Sequence, residues 1–176
     1  MTFDPDVHHR RSIRLRGYDY SHPGHYFVTI CTHGKEHVFG EVVEGEMVLN
    51  EAGEVVRRAW ESLPKRFPTV ALNSLVVMPN HIHIIIGLVG EGLALPASLR
   101  RGAASSAPTL GDVLRVFKST SAISANALLS RCGQPLWQRN YYEHIIRNPA
   151  ELEMIREYIA TNPPRWDTDP ENVSPL

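Results

Sequence analysis

The stretch Val-Val-Met-Pro-Asn-His-Ile-His-Ile-Ile-Ile, residues 76–86, places two histidines inside an apolar run. Side chains on a β-strand alternate between its faces, so His81 and His83 share one face while Ile82, Ile84 and Ile86 take the other. Two residues of a strand span roughly 6–7 Å, a separation from which two imidazoles can converge on one metal ion. H-x-H pairs also occur on strands that bind nothing, so the pair alone leaves a metal open, and a third ligand is needed. Tyr158-Ile-Ala-Thr-Asn162 supplies candidates. Residues four apart stack on one side of a helix, which brings the Tyr158 hydroxyl and the Asn162 amide to one place. The competing uses are a tyrosine at the edge of the core and an asparagine that caps a helix before Pro163.

With 176 residues, 43% of them hydrophobic, the chain is long enough for one well-buried domain and short for two. The expectation is a single domain over 1–176, with 1–22 as an N-terminal arm and 90–108, heavy in Ala, Ser, Gly and Pro, as a flexible loop. No apolar run approaches a bilayer span and the first residues lack an apolar signal core, which points to a cytoplasmic protein with no membrane partner. Cys31 and Cys132 lie far apart without metal spacing and are expected as small core residues. The formal net charge is −1, yet the charge is unevenly spread. Between 98 and 147, Arg100, Arg101, Arg115, Lys118, Arg131, Arg139 and Arg147 are set against only Asp112 and Glu143. Arg10, Arg11, Arg14 and Arg16 form a second basic cluster, and acidic residues gather at 36–61 and beyond 150. One basic face is therefore compatible with a neutral total.

The elements that must position these residues follow from local pattern. His25–Thr32, rich in β-branched and aromatic side chains, predicts a first strand, and Val38–Leu49 a hairpin turning at Glu44-Gly45. Asn50 is the N-cap of a helix expected over Glu51–Leu63 and stopped by Pro64. Thr69–Met78 and His81–Val89 predict two strands joined at Pro79-Asn80. Thr109 caps a helix over Leu110–Leu129, with Leu114, Phe117, Ala122 and Ile123 expected to be buried. Pro135–Ile146 reads as extended, and Asn148-Pro149 opens a last helix with Leu152, Ile155 and Ile159 on one stripe. The order reduces to βαββαβ, an α+β ferredoxin-like sandwich with an added hairpin and a C-terminal helix able to cover the histidine face.

Six motifs in order, RRSIRLRGYDY, YFVTICT, VVMPNHIH, LGDVLRVFKS, WQRNYYEHIIR and REYIATNP, span about Arg10 to Trp166. Together they resemble the REP-associated tyrosine transposases, members of the HUH endonucleases. The resemblance implies a ferredoxin-like domain, a divalent metal (Mg²⁺ or Mn²⁺) held by the histidine pair, and a helix-borne tyrosine nucleophile acting on single-stranded DNA. It matches His81 and His83 to the pair, Tyr158 to the nucleophile, and Asn162 to the helix-borne metal ligand, where related insertion-sequence transposases carry glutamine. Tyr142, beside Glu143-His144, is a rival nucleophile and is read as a stacking residue. The implied substrate is a DNA hairpin from a short repetitive palindrome, with no nucleotide cofactor, bound by a monomer or a homodimer.

A phenol titrates near 10, so a tyrosine nucleophile at neutral pH needs its phenolate favoured or its phosphate polarised. A metal held by His81, His83 and Asn162 would do the second. Arg14, Arg16, Arg115, Lys118, Arg139 and Arg147 are the expected phosphate contacts, and Tyr142, with Tyr141 as the alternative, the expected platform for an unpaired base, with Trp137 read as core. Two rival functions remain: a hairpin-binding module that does not cleave, and a metal-dependent phosphodiesterase that uses water. The two-histidine RNA phosphoesterases are excluded, because they need two separated H-x-T/S motifs.

Overall fold

A computed structural model describes residues 23–89 and 108–172. The expected arm at 1–22, with Arg14 and Arg16, and all but the last residue of the expected loop at 90–108 lie outside the described residues. Strands β1 (Gly24–Cys31), β4 (Val70–Val77), β5 (His81–Leu88) and β6 (Tyr142–Ile146) make an antiparallel sheet in the order β4-β5-β1-β6. Between β1 and the first helix lies the hairpin β2 (Gly40–Val43) and β3 (Glu46–Leu49). The helices are α1 (Glu51–Glu61), α2 (Leu63–Arg66), α3 (Leu110–Leu128) and α4 (Pro149–Ala160). With β1, α1, β4, β5, α3 and β6 as its βαββαβ frame, the fold is ferredoxin-like, and the hairpin and α4 are additions to it.

Strand alternation divides the molecule into two cores. Tyr26, Val28 and Ile30 of β1 and Ile82, Ile84 and Ile86 of β5 join Val56 and Trp60 of α1 and Leu110, Leu114 and Phe117 of α3. On the opposite face Phe27 and Ile85 join Ile155 and Ile159 of α4. Every residue of β5 is therefore buried.

Local chemistry sets the element ends. The Asn50 side chain accepts from the Gly53 amide at 3.0 Å, and Asn148 accepts from the Glu151 amide at 2.9 Å. Thr109 and Asp112 satisfy one another's backbone amides in a capping box. At the hairpin tip Glu44 (φ 52°) and Gly45 (φ 80°) both take positive φ, the requirement of a two-residue turn that matches strand twist. That tip faces Pro164, and the hairpin packs on the 3-10 helix Pro163–Thr168.

Several expectations need correction. Ile123 is 71% exposed, because the buried stripe of α3 runs through Leu110, Leu114, Phe117, Ser121 and Ala125, and a residue six past Phe117 points away from it. Ala122 is only partly buried. Pro64 does not stop the chain from coiling: α1 ends at Glu61, and Pro64 occupies the first turn of α2, where its missing amide costs nothing. Cys132 is exposed in the turn after α3, and Cys31 is half-buried. Of the extended segment 135–146 only Tyr142–Ile146 joins the sheet, with Trp137 bridging to Thr32.

Gly53 gives a test of how closely α1 sits on the hairpin. A Cβ there would lie 2.4 Å from the Phe39 carbonyl oxygen and 2.9 Å from Leu49 Cδ2. In an open helix glycine to alanine stabilises by about 1 kcal/mol. Here Gly53→Ala is expected to lower the urea midpoint, and a rise would show that the contact relaxes freely.

Candidate functional site

The turn Met78–His81, closed by the Met78 amide on the His81 carbonyl at 2.8 Å, starts β5 at His81. His81 and His83 then share the sheet face that α4 covers, with Cys31 and Thr29 of β1 directly opposite them. Their Nε2 atoms lie 3.1 Å apart. Each Nδ1 has its own partner: Asn80 Oδ1 for His81 and Thr29 Oγ1 for His83, both at 2.8 Å. The Tyr158 hydroxyl oxygen lies 3.4 Å from His83 Nε2.

α4 ends at Ala160 and Thr161 leaves the helix (φ −95°, ψ 6°), while Asn162 returns to αR (φ −66°, ψ −45°) with its amide on the Ile159 carbonyl at 3.3 Å. The chain then folds back as the 3-10 helix, bringing the Trp166 ring 6.0 Å from that of His81 and Asp169 over the pair. Asp169 Oδ2 accepts from Asn162 Nδ2 at 3.0 Å, and Oδ1 from the Glu171 amide at 2.6 Å. The Glu171 carbonyl accepts from Asn80 Nδ2 at 2.7 Å, and its carboxylate from the Cys31 thiol at 3.2 Å and Lys35 Nζ at 2.6 Å. Among the described residues, His81, His83 and Asp169 have ligand atoms within 4.8 Å of one another.

The electrostatics suit a cation. Burial holds both imidazoles neutral: His83 is brought down to about 4, and His81 lies well below the usual histidine value, helped by the neighbouring His83 and by Lys35 and His37. Neutral imidazoles are the ligating form. Burial pushes the Asp169 carboxyl up, against the hydrogen bonds from Glu171 and Asn162 that favour its charge. Asn162 is 2% exposed, its Nδ2 is committed to Asp169, and its buried Oδ1 has no hydrogen-bond partner among the described residues. Two neutral ring nitrogens, a carboxylate and an unpartnered amide oxygen fit a divalent ion.

Asp169 was not foreseen from the sequence, nor were Asn80, Thr29 and Glu171. Asn80 precedes His81 directly and could have been found there. Asp169 gives no such signal, since only the reversal at Pro163-Pro164 returns it to the sheet.

The expected DNA contacts are scattered in character. Arg115 is exposed on α3 and pairs with Asp112 at 3.2 Å, and Arg139 and Arg147 are exposed. Lys118 donates to the carbonyls of Gln138 and Arg139 at 2.7 and 3.0 Å, so its ammonium fastens the chain before β6. Tyr142 packs in the second core with its ring 6.2 Å from Phe27, and burial pushes its hydroxyl up to about 12. Trp137 is buried, donating from Nε1 to Ser121 Oγ at 3.0 Å, as expected of a core residue. No helix among the described residues is long and apolar enough to cross a membrane.

No family model matches the chain. A Haemophilus influenzae protein described as uncharacterized is 40% identical over 175 residues, covering 95% of each chain. The chain belongs to that protein's family. A solved structure of a REP-associated tyrosine transposase bound to a REP hairpin is similar with a TM-score of 0.55 and 22% identity, over 86% of this chain and 72% of that one. The likeness is one of fold: a transposase is built on the same mixed sheet and helices.

The buried pair makes stability depend on pH. In EDTA an unfolded histidine takes up its proton below about 6.5, whereas folded His83 resists until about 4. Between these values the unfolded state binds more protons, so the contribution is fully present above 6.5 and is lost as pH falls. The expected slope is up to about 1.4 kcal/mol per pH unit for each histidine. Urea titrations between about pH 4.5 and 6.5 check this, and His83→Asn is expected to remove about one proton from the slope.

Proposed function

We propose that the protein is a metal-dependent single-stranded DNA endonuclease and strand transferase that acts on hairpins of repetitive palindromes through a 5′-phosphotyrosine. The observation that carries this reading is the Tyr158 hydroxyl 3.4 Å from His83 Nε2, beside a buried His81, His83 and Asp169 cluster. The shared fold with a transposase that was solved on a REP hairpin supports it.

His81, His83 and Asn162, with Asp169 beside them, would hold a divalent ion, which would supply positive charge to the scissile phosphate. The chain's own part is positional. The second-core packing of Phe27 against Tyr158, with ring centroids 6.1 Å apart, aims the phenol at the histidines. Tyr158 Oη attacks phosphorus in line and the P–O3′ bond breaks; the phenol proton passes to water, and the departing 3′ oxygen takes one proton from water to leave as a hydroxyl. One phosphodiester becomes one phosphotyrosine ester, so the bond is kept for rejoining. The mixed nitrogen and oxygen set suits Mn²⁺ better than Mg²⁺, which prefers oxygen alone. Exposed Arg115, Arg139 and Arg147 contribute phosphate contacts, as do Arg14 and Arg16 of the arm. The depth of the pair beneath residues 163–172 favours one second reading, a hairpin-binding module whose ion is structural.

A denaturing gel of the protein with a labelled hairpin oligonucleotide and Mn²⁺ distinguishes these. A metal-dependent, protein-linked label that Tyr158→Phe abolishes is expected. Cleavage without a covalent species means water attack, and binding without cleavage means a hairpin reader.

A further inference from the structure

We propose that Asn80 is a positioning residue that locks His81 in its Nδ1–H tautomer, so that ion uptake at the pair requires a tautomer switch of His83 alone. This rests on reading the pair as an ion site.

The orientation of the Asn80 amide is forced. Asn80 is fully buried, and its Nδ2 has two backbone carbonyls in reach, Glu171 O at 2.7 Å and Lys35 O at 3.3 Å. A flipped amide would set its oxygen against both. Oδ1 therefore faces His81 Nδ1 at 2.8 Å, and an amide oxygen only accepts. His81 must carry its proton on Nδ1, which leaves Nε2 as a lone pair.

That lone pair faces His83 Nε2 at 3.1 Å. Two facing lone pairs repel, so without an ion His83 carries its proton on Nε2 and donates it to His81. His83 Nδ1 is then a lone pair and accepts a hydrogen bond from the Thr29 hydroxyl at 2.8 Å. An ion shared by both Nε2 atoms needs both to be unprotonated. His81 is already so. His83 gives up its Nε2 proton and takes one on Nδ1, with no net change in protonation, and the Thr29 hydroxyl turns from donor to acceptor at the same separation. A hydroxyl performs either role and a carboxamide oxygen does not. Asn80 thus fixes one ligand, Thr29 lets the other adapt, and the nitrogen that changes is the one beside Tyr158.

Long-range proton–nitrogen NMR of the ¹⁵N-labelled full chain at neutral pH reads these tautomers directly. In EDTA, His81 is expected as Nδ1–H and His83 as Nε2–H. With Zn²⁺ as a diamagnetic probe, His83 is expected to become Nδ1–H while His81 stays unchanged. An Nε2–H His81 or an Nδ1–H His83 in EDTA overturns the lock or the switch respectively. Asn80→Ala is expected to weaken Zn²⁺ binding roughly 10- to 100-fold by calorimetry; unchanged affinity and tautomer overturn the proposal. Should that variant not fold, the EDTA spectrum of the unsubstituted chain decides, since an Nε2–H His81 there overturns the lock without any substitution. Failure of Zn²⁺ to perturb either ring defeats the ion-site reading and the switch with it. The EDTA spectrum distinguishes that outcome from failure of the lock.

Discussion

Strand β5 has no face turned to solvent. On one side Ile82, Ile84 and Ile86 fill the main core, which any ferredoxin-like sheet must seal with its two crossover helices. On the other side the same alternation delivers His81, His83 and Ile85, and that side has to be covered while four ring nitrogens find partners. The β1 residues Thr29 and Cys31, the turn residue Asn80, the whole of α4 and the segment through Asn172 are arranged around that requirement. A purely apolar β5 would need only the packing of α4.

The cover is polar where it meets the histidines and apolar away from them. Ile155 and Ile159 of α4 pack with Phe27 and Ile85, giving a dry contact that excludes water. Past α4 the character changes: Asn162, Asp169 and Glu171 bring amide and carboxylate groups down over the rings, bound to one another and to Asn80, Lys35 and Cys31. Buried carboxylate and unpartnered amide oxygen are unfavourable in a low dielectric unless a positive charge is near. Lys35 answers the Glu171 carboxylate at 2.6 Å, and His81, His83 and Asp169 form a cluster that could hold a cation.

Much of this was legible because it was local. The hairpin turn, the three helix caps and the β5 alternation each depend on residues within a few positions of one another, and period and cap chemistry report them. The expected meeting of Tyr158 and Asn162 rests on helical spacing that Thr161 leaves; Tyr158 lies beside His83 and Asn162 beside Asp169. What escaped was set by tertiary geometry. Ile123 is apolar but out of phase with the α3 stripe, and composition overstated it. Lys118 carries a charge that counts toward a basic face yet is bound to backbone carbonyls. Asp169 reaches the histidines only through the reversal at Pro163-Pro164, which no period announces.

The contact between the Gly45 hairpin tip and Pro164 joins parts of the chain that are remote in sequence. Closing so long a loop has an entropic cost that local pairing does not, so the sheet and hairpin can form before the cover docks. A ribosome delivers residues in the same order. β1, the hairpin and β5 emerge well ahead of α4 and the reversal, leaving Phe27, Ile85 and both histidines exposed on the nascent chain. A sheet formed before α4 and the reversal dock would carry a bare, sticky and chemically incomplete face. That face is finished only when residues through Asn172 have been released.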